Sequence, residues 1–227
     1  MILPSSFTVY NMMESSFRMN RFFIFSVALM AVAGCSLTSP RDVGNGHRVF
    51  LGPLTEKMVC PGHMGNLVVA YPKVPDTLDT SRIALLDQTG RWDYFAGMRW
   101  ADFLSGNIQS ALIGSLTASG KFTSVSSDDT TNQLDRLRLG SKVNKFEAIY
   151  HADTIAPDVE IEIAFTLREG DSTRIMKQFV ASSKVRAAGD NADDIGSAFE
   201  EAFTEVQRSA LKKLLSCKTI NQKESHD

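Results

Sequence analysis

Cysteine, tryptophan and histidine are scarce in this chain, with three, two and four copies in 227 residues, and each scarcity removes a class of chemistry. His47, His63, His151 and His226 are too scattered to assemble a metal cluster or a catalytic dyad. His151 falls at the end of an expected strand, where an ordinary polar role is expected. No G-x-S-x-G surrounds a serine, and no glycine loop has the pattern that cradles phosphate. The paired carboxylates Asp128-Asp129 and Asp193-Asp194 fall in an expected loop and at an expected helix start, where solvation and capping account for them. The sequence therefore assigns no catalytic residue, no metal and no cofactor. An excess of positive charge is missing as well. The formal net charge is −2, and removing residues 1–34, which carry Glu14, Arg18 and Arg21, leaves it acidic, unlike the basic face of a nucleic-acid binder. Nor does the apolar run from Phe22 to Ala33 approach the ~20 residues a helix needs to cross a bilayer.

What is present starts at Met19. Arg21 precedes the apolar run, and Val32-Ala33-Gly34-Cys35 closes it with small residues before a cysteine. A basic start, an apolar middle and a small-residue cut site make a secretory signal. Met12 and Met13 lie in a preceding stretch without signal-like pattern, so translation is expected to start later than residue one, at Met19. The Val32–Cys35 sequence resembles the bacterial lipoprotein signal, in which a diacylglyceryl group joins the cysteine thiol and cleavage falls just before it. That resemblance implies cleavage between Gly34 and Cys35 and acylation of Cys35, against the alternative of a plain secretory signal with a chance cysteine. Several acyl chains, at ~0.8 kcal/mol per buried methylene, hold a domain on a membrane surface. Ser36 follows the cysteine where an Asp favours inner-membrane retention, which leans the expected location toward the outer membrane, facing the periplasm.

The remainder divides by composition into a tether (residues 35–65), one folded domain (66–216) and a polar tail (217–227). The tether is dense in Gly, Pro, Ser and Thr, with two short apolar islands, Val49-Phe50-Leu51 and Met58-Val59, placed to dock locally. Cys60 and Cys217 are open to a disulfide in an oxidising compartment, or to existence as two separate thiols.

Within the domain, Leu67–Val74 reads as a strand broken by Pro72, a second strand follows at Ser81–Gln88, and an aromatic third one at Arg91–Trp100. Between Trp100 and Leu116, apolar residues recur at three- and four-residue steps, which predicts a helix over 101–119 ending at Gly120. Lys121–Ser126 reads as a short strand, and 126–136 as a polar loop. Val143–His151, Asp158–Arg168 and Thr173–Val185 form an expected antiparallel meander, with Val159, Ile161, Ile163, Phe165 and Leu167 pointing one way. A last helix over 192–215 carries an apolar stripe from Ile195 to Leu214, acids at its start and Lys212-Lys213 at its end. The expected fold is α+β: a mainly antiparallel sheet with two amphipathic helices packed on one face.

Tyr71–Val125 carries a further pattern: Leu78-Asp79, Arg82-Ile83, Tyr94, Arg99-Trp100-Ala101, Leu104 and Ser119-Gly120-Lys121-Phe122. In order and spacing this resembles the ABC-type transport auxiliary lipoprotein family, periplasmic lipoproteins that accompany mammalian-cell-entry (MCE) lipid transporters. Asp79, Arg82, Arg99 and Trp100 are read as the structural signature of the fold. The acidic loop at 126–136 and Cys60 and Cys217 depart from the family pattern. The resemblance implies a non-enzymatic accessory subunit, anchored to the membrane by lipid, whose partners are an MCE-domain protein and an ABC permease and ATPase complex, with a homo-oligomer open to it. The competing reading is an outer-membrane lipoprotein of envelope assembly, such as a lipopolysaccharide-export component or a cell-wall synthase activator. The cargo, the direction of transfer and the contact surface lie beyond the sequence.

Overall fold

The computed structural model describes residues 46–54, 58–59, 62–127, 136–170, 174–215 and 218–219. The chain divides into units of residues 1–45 and 46–227, and the architecture here is that of the second. Its strands are β1 (His47–Val49), β2 (Met58–Val59), β3 (Met64–Val69), β4 (Arg82–Leu86) and β5 (Trp92–Trp100). Helix α1 (Leu104–Ala118) follows, then β6 (Phe122–Ser127), β7 (Leu137–Ile149), β8 (Asp158–Glu169) and β9 (Ile175–Arg186). Helix α2 (Ala192–Leu215) and β10 (Lys218–Thr219) close the described chain.

Period-two alternation makes β8 a half-buried strand: Val159, Ile161, Ile163, Phe165 and Leu167 are buried, and the residues between them are more open. It pairs antiparallel with β7 on one side and β9 on the other, which is the expected meander. A bulge at Asn144 resets the register between Val143 and Lys145, so that Val143 and Phe146 are both buried. The other edge of β7 is shared by two branches. β3 pairs with its first residues, Leu67 opposite Leu137 and Val69 opposite Leu139. β4 pairs with its last, Leu85 opposite Ala148 and Leu86 opposite Ile149. Between them a lone bridge joins Lys73 to Lys142. β6 extends the first branch, and β5 then β1 extend the second.

The sheet is therefore mixed, which corrects the mainly antiparallel expectation. Among the described residues, β1–β5, β3–β6, β3–β7 and β4–β7 are parallel, while β4–β5, β7–β8 and β8–β9 are antiparallel. The parallel pairs join segments far apart in sequence, and alternation along one strand carries no information about the direction of its partner.

Both helices contribute to one core. α1 buries Leu104, Ile108, Ala111, Leu112 and Leu116, and α2 buries Ile195, Phe199, Phe203, Val206 and Leu214, all in the same cluster as Val69, Leu139, Phe146 and Ile161. Trp100 meets Phe146 and Phe199 edge-on at centroid distances of 5.5 and 5.1 Å, and the rings of Phe146 and Phe199 stack at 5.8 Å. Gly120 adopts φ +62°, the left-handed turn expected just past α1.

The folded unit reaches back to Gly46, twenty residues before the expected start at Asn66. Val49, Leu51 and Leu54 are buried in the core. The segment lies between the helices: the Leu54 amide donates to Ser115 Oγ on α1 (2.8 Å), and Gln207 Nε2 on α2 donates to the Gly52 carbonyl (3.0 Å). Gly114 leaves room for this passage, since a Cβ there would lie 2.8 Å from Pro53. The Val49–Leu51 island thus docks, although the surrounding Gly and Pro give the composition of a linker. Gly34, Cys35, Cys60, Cys217, His226, the loop at 128–135 and the hairpin tip at 171–173 lie outside the described residues.

Candidate functional site

The four signature residues gather where β4, β5 and α1 meet. Pro75–Thr80 is a turn, and its Asp79 reaches the start of α1, where Oδ1 accepts the Ser105 amide at 3.2 Å. Phe103 occupies the N-cap position and offers no side-chain acceptor, so Asp79 does the capping from a distant turn. Ser105 Oγ in turn bonds the Tyr71 hydroxyl at 2.6 Å. The guanidinium of Arg82 lies 3.7 Å from the centre of the Tyr94 ring, and the Tyr94 hydroxyl donates to the Thr77 carbonyl at 2.8 Å. Trp100 is buried, while Arg99 beside it points outward. Register then aligns a third arginine: Arg48 on β1 stands opposite Arg99, and Arg99 opposite Arg82. Sequence reading singled out two members of this row; Arg48 joins it through a parallel pairing that no local pattern signals.

Two further features have site-like geometry. A cleft of about 630 Å³ is lined by Leu85, Tyr94, Phe95, Met98 and Ile195, with Tyr150 and Asp190 among its polar groups. The Tyr150 hydroxyl donates to Asp190, and burial together with that carboxylate holds the phenol well above its ordinary range. Along the exit of the meander, Asp158 is buried and receives Arg186 Nε at 2.6 Å, Lys184 Nζ at 3.1 Å and His151 Nε2 at 3.1 Å. The bond from Arg186, followed by that from Lys184, lowers the Asp158 carboxyl to about 2. Glu160 next to it bonds Lys145 and Lys184, both at 2.9 Å, and is held low for that reason.

These groups form a neutralised ladder in which each carboxylate already faces cations. His151–Asp158 and His47–Asp193 pair imidazole with carboxylate. Neither imidazole has a hydroxyl or thiol bonded to it among the described residues, so the three-part arrangement of a nucleophilic enzyme is not formed there. No group of three or more His, Cys, Asp or Glu side chains is placed to hold a metal among the described residues. None of the described helices is long and apolar enough to cross a membrane.

The profile of the ABC-type transport auxiliary lipoprotein component family matches residues 55–210, more than half of the chain. The chain belongs to that family. The match spans β2 through most of α2 and includes all four signature residues of the auxiliary lipoprotein. No curated protein matches the chain. Among solved structures, it is similar to protein XCC0632 from Xanthomonas campestris, with a TM-score of 0.61, 20% identity, and coverage of 75% of this chain and 92% of that one. An uncharacterized protein resembles it with a TM-score of 0.58, 13% identity, and coverage of 75% and 99%. At such identities the likeness shows the shared fold. In this member of the auxiliary lipoprotein family, that fold is a forked mixed sheet packed with two helices.

Proposed function

We propose that this protein is a non-enzymatic accessory subunit of an ABC-type lipid transport system, held at the membrane by acyl chains on Cys35 and assembled with an MCE-domain protein. The family match over residues 55–210 carries the reading, because it identifies a transport component described as auxiliary and as a lipoprotein. The signal-like stretch ending at Gly34-Cys35 supports the anchoring part independently of that match. Confinement to a membrane surface raises the local concentration of the domain, so weak contacts with a membrane partner become effective. The absence of an assembled nucleophile, base and carboxylate among the described residues is compatible with a role in assembly or bridging. We place the protein on the periplasmic side of the envelope, at the outer membrane.

Mild crosslinking of membranes from cells that express an MCE-domain protein, followed by purification of this chain, tests the reading. Recovery of the MCE subunit with the permease and ATPase is expected. Recovery of lipopolysaccharide-export or cell-wall synthase components in their place would overturn it in favour of envelope assembly.

A further inference from the structure

On the helix-free face of the sheet, a groove of about 550 Å³ lies where the two branches of β7 separate. Its floor is made small by Gly140, Ala164 and Ala70, and its sides are cationic: Lys73, Lys142, Arg138 and Arg168 all line it. The cations come in opposed pairs. Lys73 stands directly opposite Lys142 in the lone bridge, and Arg138 directly opposite Arg168 in the β7–β8 ladder. Like charges in facing positions cost stability, as for Lys73 and Lys142, and the lining of the groove contains no carboxylate. Between the two pairs, Gly140, Thr166 and Gln178 form one row across three strands. That row sets a hydroxyl and a carboxamide beside an open floor.

We propose that this groove binds a phosphate group, either in the headgroup of a phospholipid or in a small soluble phosphoester. A phosphate presents several acceptor oxygens in different directions. It can therefore meet ammonium, guanidinium, hydroxyl and amide donors at once, and it relieves the facing charges of Lys73 and Lys142. The neighbouring strand adds an apolar border: Ile175 pairs with Arg168, Val180 pairs with Ala164, and Ile175, Met176 and Val180 are about half exposed. A phosphate attached to acyl chains matches that border better than a fully polar one. The inference rests on Lys73, Lys142, Arg168 and the glycine floor, and is independent of which membrane complex the protein serves.

The test uses the full chain, purified in a non-ionic detergent at low salt, and titrates glycerol phosphate and dihexanoyl phosphatidylglycerol by calorimetry. Two variants remove the site in different ways. Lys142→Ser with Arg168→Ser removes charge from exposed positions. Gly140→Leu fills the floor without changing charge, and its Cβ would meet only the Thr166 carbonyl, at an ordinary 3.8 Å. Lys212→Ser, on the exposed side of α2, is the control for loss of surface charge away from the groove. Binding by the native chain and by the control, weakened about tenfold or more in both site variants, is expected for charge-assisted bonds. Tighter binding of the lipid than of glycerol phosphate assigns the headgroup; equal binding assigns a soluble phosphoester. Absence of binding by the native chain, unchanged binding in Gly140→Leu, or an equal loss in Lys212→Ser would overturn the proposal. None of these results bears on recovery of an MCE subunit, so the two readings fail separately.

Discussion

Asp158 is a buried carboxylate at the end of the meander with three cationic or protonatable neighbours, and its charge is part of the fold. Its carboxyl is lowered to about 2 in the folded chain, below the value of ~4 that an unfolded chain gives it. Its stabilising contribution is therefore complete above the unfolded value and disappears as pH falls through the folded one. Asp158→Asn should cost about 2 kcal/mol at neutral pH, as the loss of a charge-assisted bond does. The melting temperatures of the two proteins should converge as pH drops from about 4 toward 2. Thermal unfolding across that range checks both statements, and a constant difference would show that the carboxylate is not what stabilises. Trp100 makes a plainer case. It is sealed between Phe146 and Phe199, and Trp100→Ala should cost about 3–5 kcal/mol in urea unfolding through the cavity it leaves.

At the scale of elements, α1 begins without a capping side chain of its own and is finished by Asp79 from a turn more than twenty residues earlier. Asp79→Ala should lower stability by about 1 kcal/mol, the usual worth of an N-cap. Hydrogen exchange should locate the loosening in the first turn of α1. A general loss of protection would instead make Asp79 part of a wider core. The pairing of β2 with β10 bears on the cysteines. Val59 stands opposite Lys218 in an antiparallel register, and Cys60 and Cys217 are their sequence neighbours. We propose the Cys60–Cys217 disulfide on this basis; a thiol assay on the unreduced, denatured chain should then find neither residue reactive.

Local patterns made much of this level legible. Apolar periodicity located α1 and α2 to within a few residues, and strict alternation located β8, because burial on one face imposes that spacing. β7 was harder to read. It begins at Leu137, six residues before the expected start, since Ser141 puts a polar residue on the buried side between Leu139 and Val143, and the bulge at Asn144 breaks the alternation again. The forked edge of β7 and the arginine row were illegible for another reason. They depend on which strands become neighbours, and that is decided by long-range packing. The phosphate groove shares this origin, because Lys73, Arg138 and Arg168 look like ordinary surface charges until the sheet sets them in pairs.

For the molecule as a whole, the anchoring proposal places a single thiol in control of location. Cys35→Ala should move the protein from the membrane fraction to the soluble periplasmic fraction while leaving its melting temperature unchanged, because Cys35 precedes the folded unit. Fractionation and thermal melting together check this. Persistence in the membrane fraction would require another means of attachment.

The burial of Val49, Leu51 and Leu54 bears directly on how far such an attachment could let the protein roam. With residues from Gly46 onward spent on packing, ten residues separate Cys35 from the folded unit. At the 3.3–3.6 Å that a fully extended chain spans per residue, a leash of that length reaches at most roughly 35 Å. A leash running to Asn66 would have reached about three times as far. An acylated form would therefore patrol a thin layer next to its bilayer, and a partner rooted in the opposite membrane would have to supply nearly all of the span between them.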